Sequence, residues 1–146
     1  MKIYPPLMVL AGIITQLFIG YIAPVQPILS ETWQYIGIVL MVLGFSTILL
    51  AARSFRKHET TIIPDGQPSA LMEGGLFAYS RNPIYVAMAV LLIGSGLAIG
   101  HIWALIVVPL FVLLVQQIWI VKEEENLETE FGQIYRNYKR RVRRWL

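Results

Sequence analysis

The sequence contains no cysteine, which excludes disulfides and thiolate metal sites. Charge is also scarce: only 14% of the 146 residues are charged, against 56% hydrophobic, and the mean hydropathy is +0.61. Soluble globular domains carry about 25% charged residues, so an ordinary solvated enzyme or a nucleic-acid-binding module does not fit. Acidic and basic residues are missing altogether from four long apolar runs: about Leu7 to Ala23, Trp33 to Ala52, Pro83 to Gly100 and Ile102 to Val121. Each is near the ~20 helical residues that a bilayer core requires, and lipid exposure explains the absence of charge. The first run follows Lys2 as a signal peptide would, but its apolar core is too long and no clear small-residue cleavage site follows.

Four spans predict an all-α integral membrane protein forming a single domain over residues 1–146. All 12 Lys and Arg residues then fall on one side: Lys2 before the first span, Arg53, Arg56, Lys57 and Arg81 between the second and third, and the rest after the fourth. By the positive-inside rule both termini and the middle loop are cytoplasmic, in an inner membrane if the chain is bacterial. His58 and His101 fall on opposite faces, which argues against a paired-histidine metal site. Neither a metal nor a nucleic acid is expected as a partner.

The middle loop, residues 53–82, is broken by Pro64, Gly66, Pro68, Gly74 and Gly75, so it is not one helix. It is nevertheless apolar at Ile62, Ile63, Leu71, Met72, Leu76 and Phe77, as a packed functional loop would be. After the fourth span the pattern stays helical over 122–146. Leu127, Phe131, Ile134, Tyr135, Tyr138, Val142 and Trp145 share one stripe at 100° per residue, with basic residues mostly opposite, as in a helix lying on an anionic surface. Gly132 predicts a bend. On the same wheel Glu123 and Glu124 flank the apolar stripe and Glu125 points away. An acidic cluster at a membrane exit is equally read as a solvated face.

The stretch "YSRNPIY" has a plain explanation, with Asn82 as helix cap and Pro83 as first helical residue. Such a helix start also offers free N–H groups to an anion. With Arg81 on one side and carboxylates on the other, it could hold a zwitterion.

"LMEGGLFAYSRNPIY", followed after two apolar runs by "EEENLETEFGQIYRNYKRRVRRW", resembles the integral-membrane methyltransferases of the isoprenylcysteine carboxyl methyltransferase and phospholipid methyltransferase group, in its small bacterial form. The likeness covers Thr60 to Trp145. It implies S-adenosylmethionine as methyl donor, S-adenosylhomocysteine as product, and a lipophilic or membrane-borne acceptor drawn from the bilayer. Carried over by position, Ser69, Ala70, Leu71 and Met72 would supply backbone contacts to the cofactor, and Phe77 would lie against its adenosine. Arg81, Asn82, Pro83 and Tyr85 occupy the Arg-His/Asn-Pro-x-Tyr motif, and Glu123 and Glu124 the two glutamate positions. Arg81 and Glu124 are the candidate catalytic residues.

Three positions depart from the pattern. Asn82 stands for the histidine of the carboxyl-methylating members and Glu73 for a small hydroxyl residue. Trp119 stands where those members are expected to carry a substrate-binding arginine, so the acceptor is left open between a carboxylate, an amine and other lipid-borne groups. Gln116 and Gln117 either line an acceptor path or bond between helices. Gly96 and Gly100 are read as close-packing glycines rather than a nucleotide loop. The rival class is a non-enzymatic four-span protein, an exporter subunit or assembly factor; a proton-coupled exporter would be expected to carry an acidic residue within a span.

Overall fold

The computed structural model describes residues 4–22, 29–57 and 70–146. Ser69, His58 and most of the middle loop, including Ile62 and Ile63, lie outside the described residues. Among the described residues all regular structure is helical: α1 (Pro5–Ile22), α2 (Glu31–Lys57), a 3-10 turn (Gly75–Ala78), α3 (Pro83–Ile99), a second 3-10 turn (Ile102–Ile106), α4 (Val107–Val115), a π-helical segment (Gln116–Ile120) and α5 (Val121–Arg141). Among the described residues three stretches are long and apolar enough to cross a membrane: Pro5–Ile22, Glu31–Ser54 and Ile102–Arg141. The third apolar run is the exception, because α3 has 17 residues and a full crossing takes about 20.

The contacts divide the chain into two compact units. One comprises Met1–Ser46 and Ala87–Leu114, the other Thr47–Val86 and Val115–Leu146.

In the first unit α1 is apolar around most of its surface and only a narrow stripe of it faces protein, whereas α3 has no exposed residue. Pro5, Val9, Gly12 and Gln16 of α1 are buried, a four-three-four spacing that lies along one helix face. Leu7, Leu10, Ile14, Leu17 and Phe18, on the remaining surface, are exposed, which suits lipid contact. Helices α2 and α3 meet at glycines. A Cβ built on Gly37 would lie 2.5 Å from the Gly94 carbonyl oxygen and the Ala98 nitrogen, and one on Gly94 would lie 2.6 Å from the Gly37 carbonyl oxygen. Only glycine permits this backbone approach, the device by which helices associate where lipid removes the hydrophobic drive. Gly96 is crowded by side chains rather than backbone, those of Leu105 and Gln16. Gly100 serves a turn instead: its φ is 84°, a left-handed value that glycine tolerates.

The unit's buried polar cluster centres on Gln16, which is 0% exposed. Its Nε2 donates to the carbonyls of Leu92 (2.9 Å) and Ala104 (3.1 Å), while Ser95 Oγ lies 2.5 Å from its Oε1. An amide satisfied at both ends is a strong tie between helices in an apolar setting.

The second unit is charged, and a reversal of α5 organises it. Gly132 has φ 50° and ψ −119°, so α5 is two helical segments joined across this residue. Residues eleven apart in an unbroken helix are separated by about 16 Å along the axis. Yet Lys139 Nζ lies 2.9 Å from Glu128 Oε2, and Arg136 lies 3.7 Å from Oε1 of the same carboxylate. The chain therefore turns back on itself where the sequence predicts a bend. Of the expected stripe beyond the turn, Tyr135 and Tyr138 are buried, whereas Ile134 is 61% exposed. The helix stops at Arg141, Val142 takes extended angles, and the rest of the expected helix is an irregular tail.

Candidate functional site

The second unit gathers most of the sequence-selected residues around the N-terminus of α3. The Gly75–Ala78 turn is opened by Gly75 at φ 61°, a glycine conformation. It buries Phe77, whose carbonyl accepts a 2.7 Å hydrogen bond from the Tyr138 hydroxyl. Ala70, Leu71 and Met72 lead into this turn half-buried, and the ion pairs beyond it do not involve them. Glu73 pairs with Arg141 at 2.6 Å on the outer surface, so the unusual residue at this position fastens the loop to the returning segment of α5.

Asn82 precedes Pro83, the first residue of α3, as expected of a cap position. Its side-chain amide, however, donates to the carbonyl of Arg144 at 3.0 Å, and its backbone N–H donates to the Ser80 hydroxyl at 3.1 Å. Ser80 Oγ in turn donates to the same Arg144 carbonyl at 3.2 Å, and the Arg81 N–H donates to the Arg143 carbonyl at 3.0 Å. The tail is thus laid across the helix start and takes up donors that a ligand could otherwise reach. Trp145 Nε1 completes the fastening with a 3.0 Å bond to Gln116 Oε1, the carbonyl of a half-buried side chain in the π-helical segment. Gln117 of the same segment is exposed, and Trp119 is buried.

The three consecutive glutamates separate by burial in the order that the helical wheel predicts: Glu124 is buried, Glu123 half-buried and Glu125 exposed. Glu123 Oε1 accepts a 2.5 Å hydrogen bond from the Tyr85 hydroxyl. Glu124 is held between two guanidinium groups. Arg144 grips both oxygens, Nε to Oε1 at 3.0 Å and Nη2 to Oε2 at 2.7 Å, and Arg81 Nη2 lies 3.1 Å from Oε1. The hydrogen bond to Glu124 raises the pKa of Arg144 above its ordinary value, so Arg144 stays charged. Two cations on one carboxylate leave the cluster with net positive charge. The side chains of Arg81 and Glu124 are 10% and 8% exposed and that of Arg144 is 35% exposed, so the inner pair is shielded and the second cation reaches it from the solvent side.

Arg81 Nε and Nη1 are buried with no hydrogen-bond partner, as is the Tyr135 hydroxyl. Buried donors are rarely left unsatisfied, and a group of them marks a place to explain. The charge of Arg81 and its open donors suit an anionic group such as a carboxylate. The Arg144 contact, the Ser80 relay and the Tyr138 tie were not singled out from sequence. The only signal available was the "VRRW" ending, where Arg143 and Arg144 are chemically indistinguishable until the fold is known.

Comparison with known proteins decides the family. The family described as phospholipid methyltransferase matches residues 33–134. The chain belongs to this family. An uncharacterized protein of Haemophilus influenzae is similar to it, 40% identical over 63 residues, which are 43% of this chain and 100% of that protein. No solved structure matches the chain. Membership of the phospholipid methyltransferase family, with three helices long enough to span a bilayer, makes this a membrane protein of methyl-transferring type and leaves the exporter and assembly-factor readings without support. The match takes in Arg81, Tyr85, Glu123 and Glu124 and stops short of the tail.

Proposed function

We propose that the protein transfers a methyl group from S-adenosylmethionine to a lipid-borne acceptor at the cytoplasmic face of a membrane, both termini lying on that face. The observation that carries this reading is Arg81: a cationic side chain at a helix start, with two buried nitrogens that lack acceptors, beside a carboxylate cluster. S-adenosylmethionine would supply an activated methyl on a sulfonium, passed to an acceptor lone pair while the carbon–sulfur electrons stay on sulfur, so the leaving thioether needs no acid.

The chain's own residues bind and orient. Arg81 holds the donor's carboxylate. Glu123, set by the Tyr85 hydroxyl, faces its positive groups, and Glu124 fixes Arg81 rather than meeting the donor directly. Phe77 and the Ala70–Met72 segment lie along the adenosine, with Asn82 and Pro83 shaping the helix start between them. Holding reactants in line in a dry site supplies most of the rate in such a displacement. The acceptor is better read as an amine or another neutral lipid group than as a carboxylate. The place of the expected substrate-binding arginine is filled by Trp119, buried to 8% exposure, which offers no cation.

Calorimetric titration of the detergent-purified protein with S-adenosylhomocysteine tests the reading. Micromolar binding is expected, lost in Arg81→Ala and in Glu123→Ala. Unaltered binding in both variants would remove the residue assignment, and absence of binding to the unmodified protein would remove the donor. Incubation with radiolabelled donor and total membrane lipids then identifies the acceptor by which lipid takes up label.

A further inference from the structure

We infer that Arg144 is a positioning residue that keeps the charge of Arg81 available to the ligand by occupying the carboxylate of Glu124. The inference rests on the proposed donor site and concerns a residue outside the family match, which ends at 134.

Its basis is a competition for one carboxylate. Arg144 meets Glu124 through a two-pronged contact, 3.0 and 2.7 Å, the geometry in which a guanidinium binds a carboxylate most strongly. Arg81 is left with one contact, at 3.1 Å to the oxygen that Arg144 Nε also uses. With Arg144 absent, Glu124 and Arg81 would be a one-to-one pair: the carboxylate could turn its full face to Arg81, and the pair would carry no net charge. With Arg144 present the trio carries one excess positive charge, and Arg81 retains unpartnered nitrogens at Nε and Nη1. Arg81 and Glu124 are 10% and 8% exposed and Arg144 is 35% exposed, so the second cation is partly screened by solvent, and the excess charge still favours an anionic group beside Arg81.

The fold specifies where this second cation goes. Along an unbroken helix Glu124 and Arg141 would be about 25 Å apart. The reversal at Gly132 returns the chain, and the irregular tail that begins at the extended Val142 delivers Arg144 to the buried carboxylate. Its own carbonyl is held by Ser80 Oγ and Asn82 Nδ2, the preceding carbonyl by the Arg81 N–H, and the following residue by Gln116. A side chain bracketed in this way is preorganised, which is required of a group whose role is to orient another.

The test compares two ligands on the full-length protein in detergent. S-adenosylhomocysteine carries the carboxylate that Arg81 would meet; 5′-methylthioadenosine keeps the adenosine and thioether but has no amino-acid portion. Arg144→Ala is expected to weaken the first by about tenfold, equivalent to about 1.4 kcal/mol, and to leave the second unchanged. Arg144→Lys, which retains the charge but not the fork, is expected to recover part of the loss. In a Glu124→Gln background, where there is no carboxylate to neutralise, Arg144→Ala is expected to add nothing. Equal weakening of both ligands, or the same tenfold loss with and without Glu124, would show the tail to be only a scaffold and overturn the inference. Intact S-adenosylhomocysteine binding in Arg144→Ala would also overturn it, while leaving the donor site in place. Failure of the unmodified protein to bind either ligand would overturn the donor reading and the inference together.

Discussion

The two units bury polar groups in opposite ways. In the first, Gln16 sits in an apolar surround with its amide nitrogen on two carbonyls and its oxygen near Ser95; one described buried polar atom, His101 Nδ1, is left over in that unit. In the second, Glu124 holds two guanidinium groups, while Arg81 Nε, Arg81 Nη1 and the Tyr135 hydroxyl have no partner. A satisfied amide network is what packing requires, since each unpaired group would cost about 1–3 kcal/mol. An ion cluster with charge and donors to spare is less stable than it could be. Such a cluster is retained where it is put to use, at sites for ligands. The difference separates a region whose polar groups tie helices together from one whose spare charge and donors suit the donor site proposed above.

The comparison is broken most severely at Glu124. Glu124→Ala leaves Arg81 and Arg144 as uncompensated neighbours, and removing one partner of a buried ion pair costs about 3–5 kcal/mol. Denaturant unfolding in detergent should show that loss; a change below ~1 kcal/mol, the range of exposed pairs, would mean that the cluster is wet and not buried. The first unit fails through sterics instead. Gly→Ala in a helix ordinarily stabilises by about 0.5–1 kcal/mol. At Gly37 the sign reverses, because the new methyl would lie 2.5 Å from backbone atoms of α3, and overpacking costs about 1–3 kcal/mol. Gly74→Ala is the control, since no atom lies within 4 Å of a Cβ there. If Gly37→Ala is as harmless as Gly74→Ala, close backbone approach is not what joins α2 to α3.

The two units also differ in how far the sequence discloses them. Charge-free runs reveal helices directly, because lipid tolerates little else. Periodicity also sorted Glu124 from Glu125, since a wheel needs only the helix to continue. It holds only in part beyond Gly132. A glycine in a helical pattern permits a bend, but its φ of 50° and ψ of −119° turn the chain back, and nothing in the residue identity distinguishes the two. Past that point the expected stripe holds at Tyr135 and Tyr138, which are buried, and fails at Ile134, which lies exposed. Arg144 was hidden for another reason. In a basic run every member is an equally good surface charge, and only backbone contacts at Ser80, Arg81 and Asn82 select the one that turns inward. In the first unit, likewise, Gln16 is one polar residue in an apolar span whose carbonyl partners carry no sequence signature.

The smallest expected effect sharpens the contrast within the charged unit itself. Glu73 and Arg141 form a 2.6 Å pair, but their side chains are 34% and 66% exposed, unlike Glu124 and Arg81 at 8% and 10%. Exposed pairs contribute about 0.2–1 kcal/mol, and salt screens them. Glu73→Gln should therefore lower stability by no more than ~1 kcal/mol in dilute salt, with the difference from the unmodified protein vanishing as salt is raised. The Glu124 effect should persist under the same conditions, because mobile ions do not reach a buried carboxylate. Thermal midpoints of both variants, measured across a salt series in detergent, separate the two cases. If both effects faded together, the exposure difference between the outer clasp and the inner cluster would have no energetic meaning, and the charge on Arg81 would be screened before any ligand reached it.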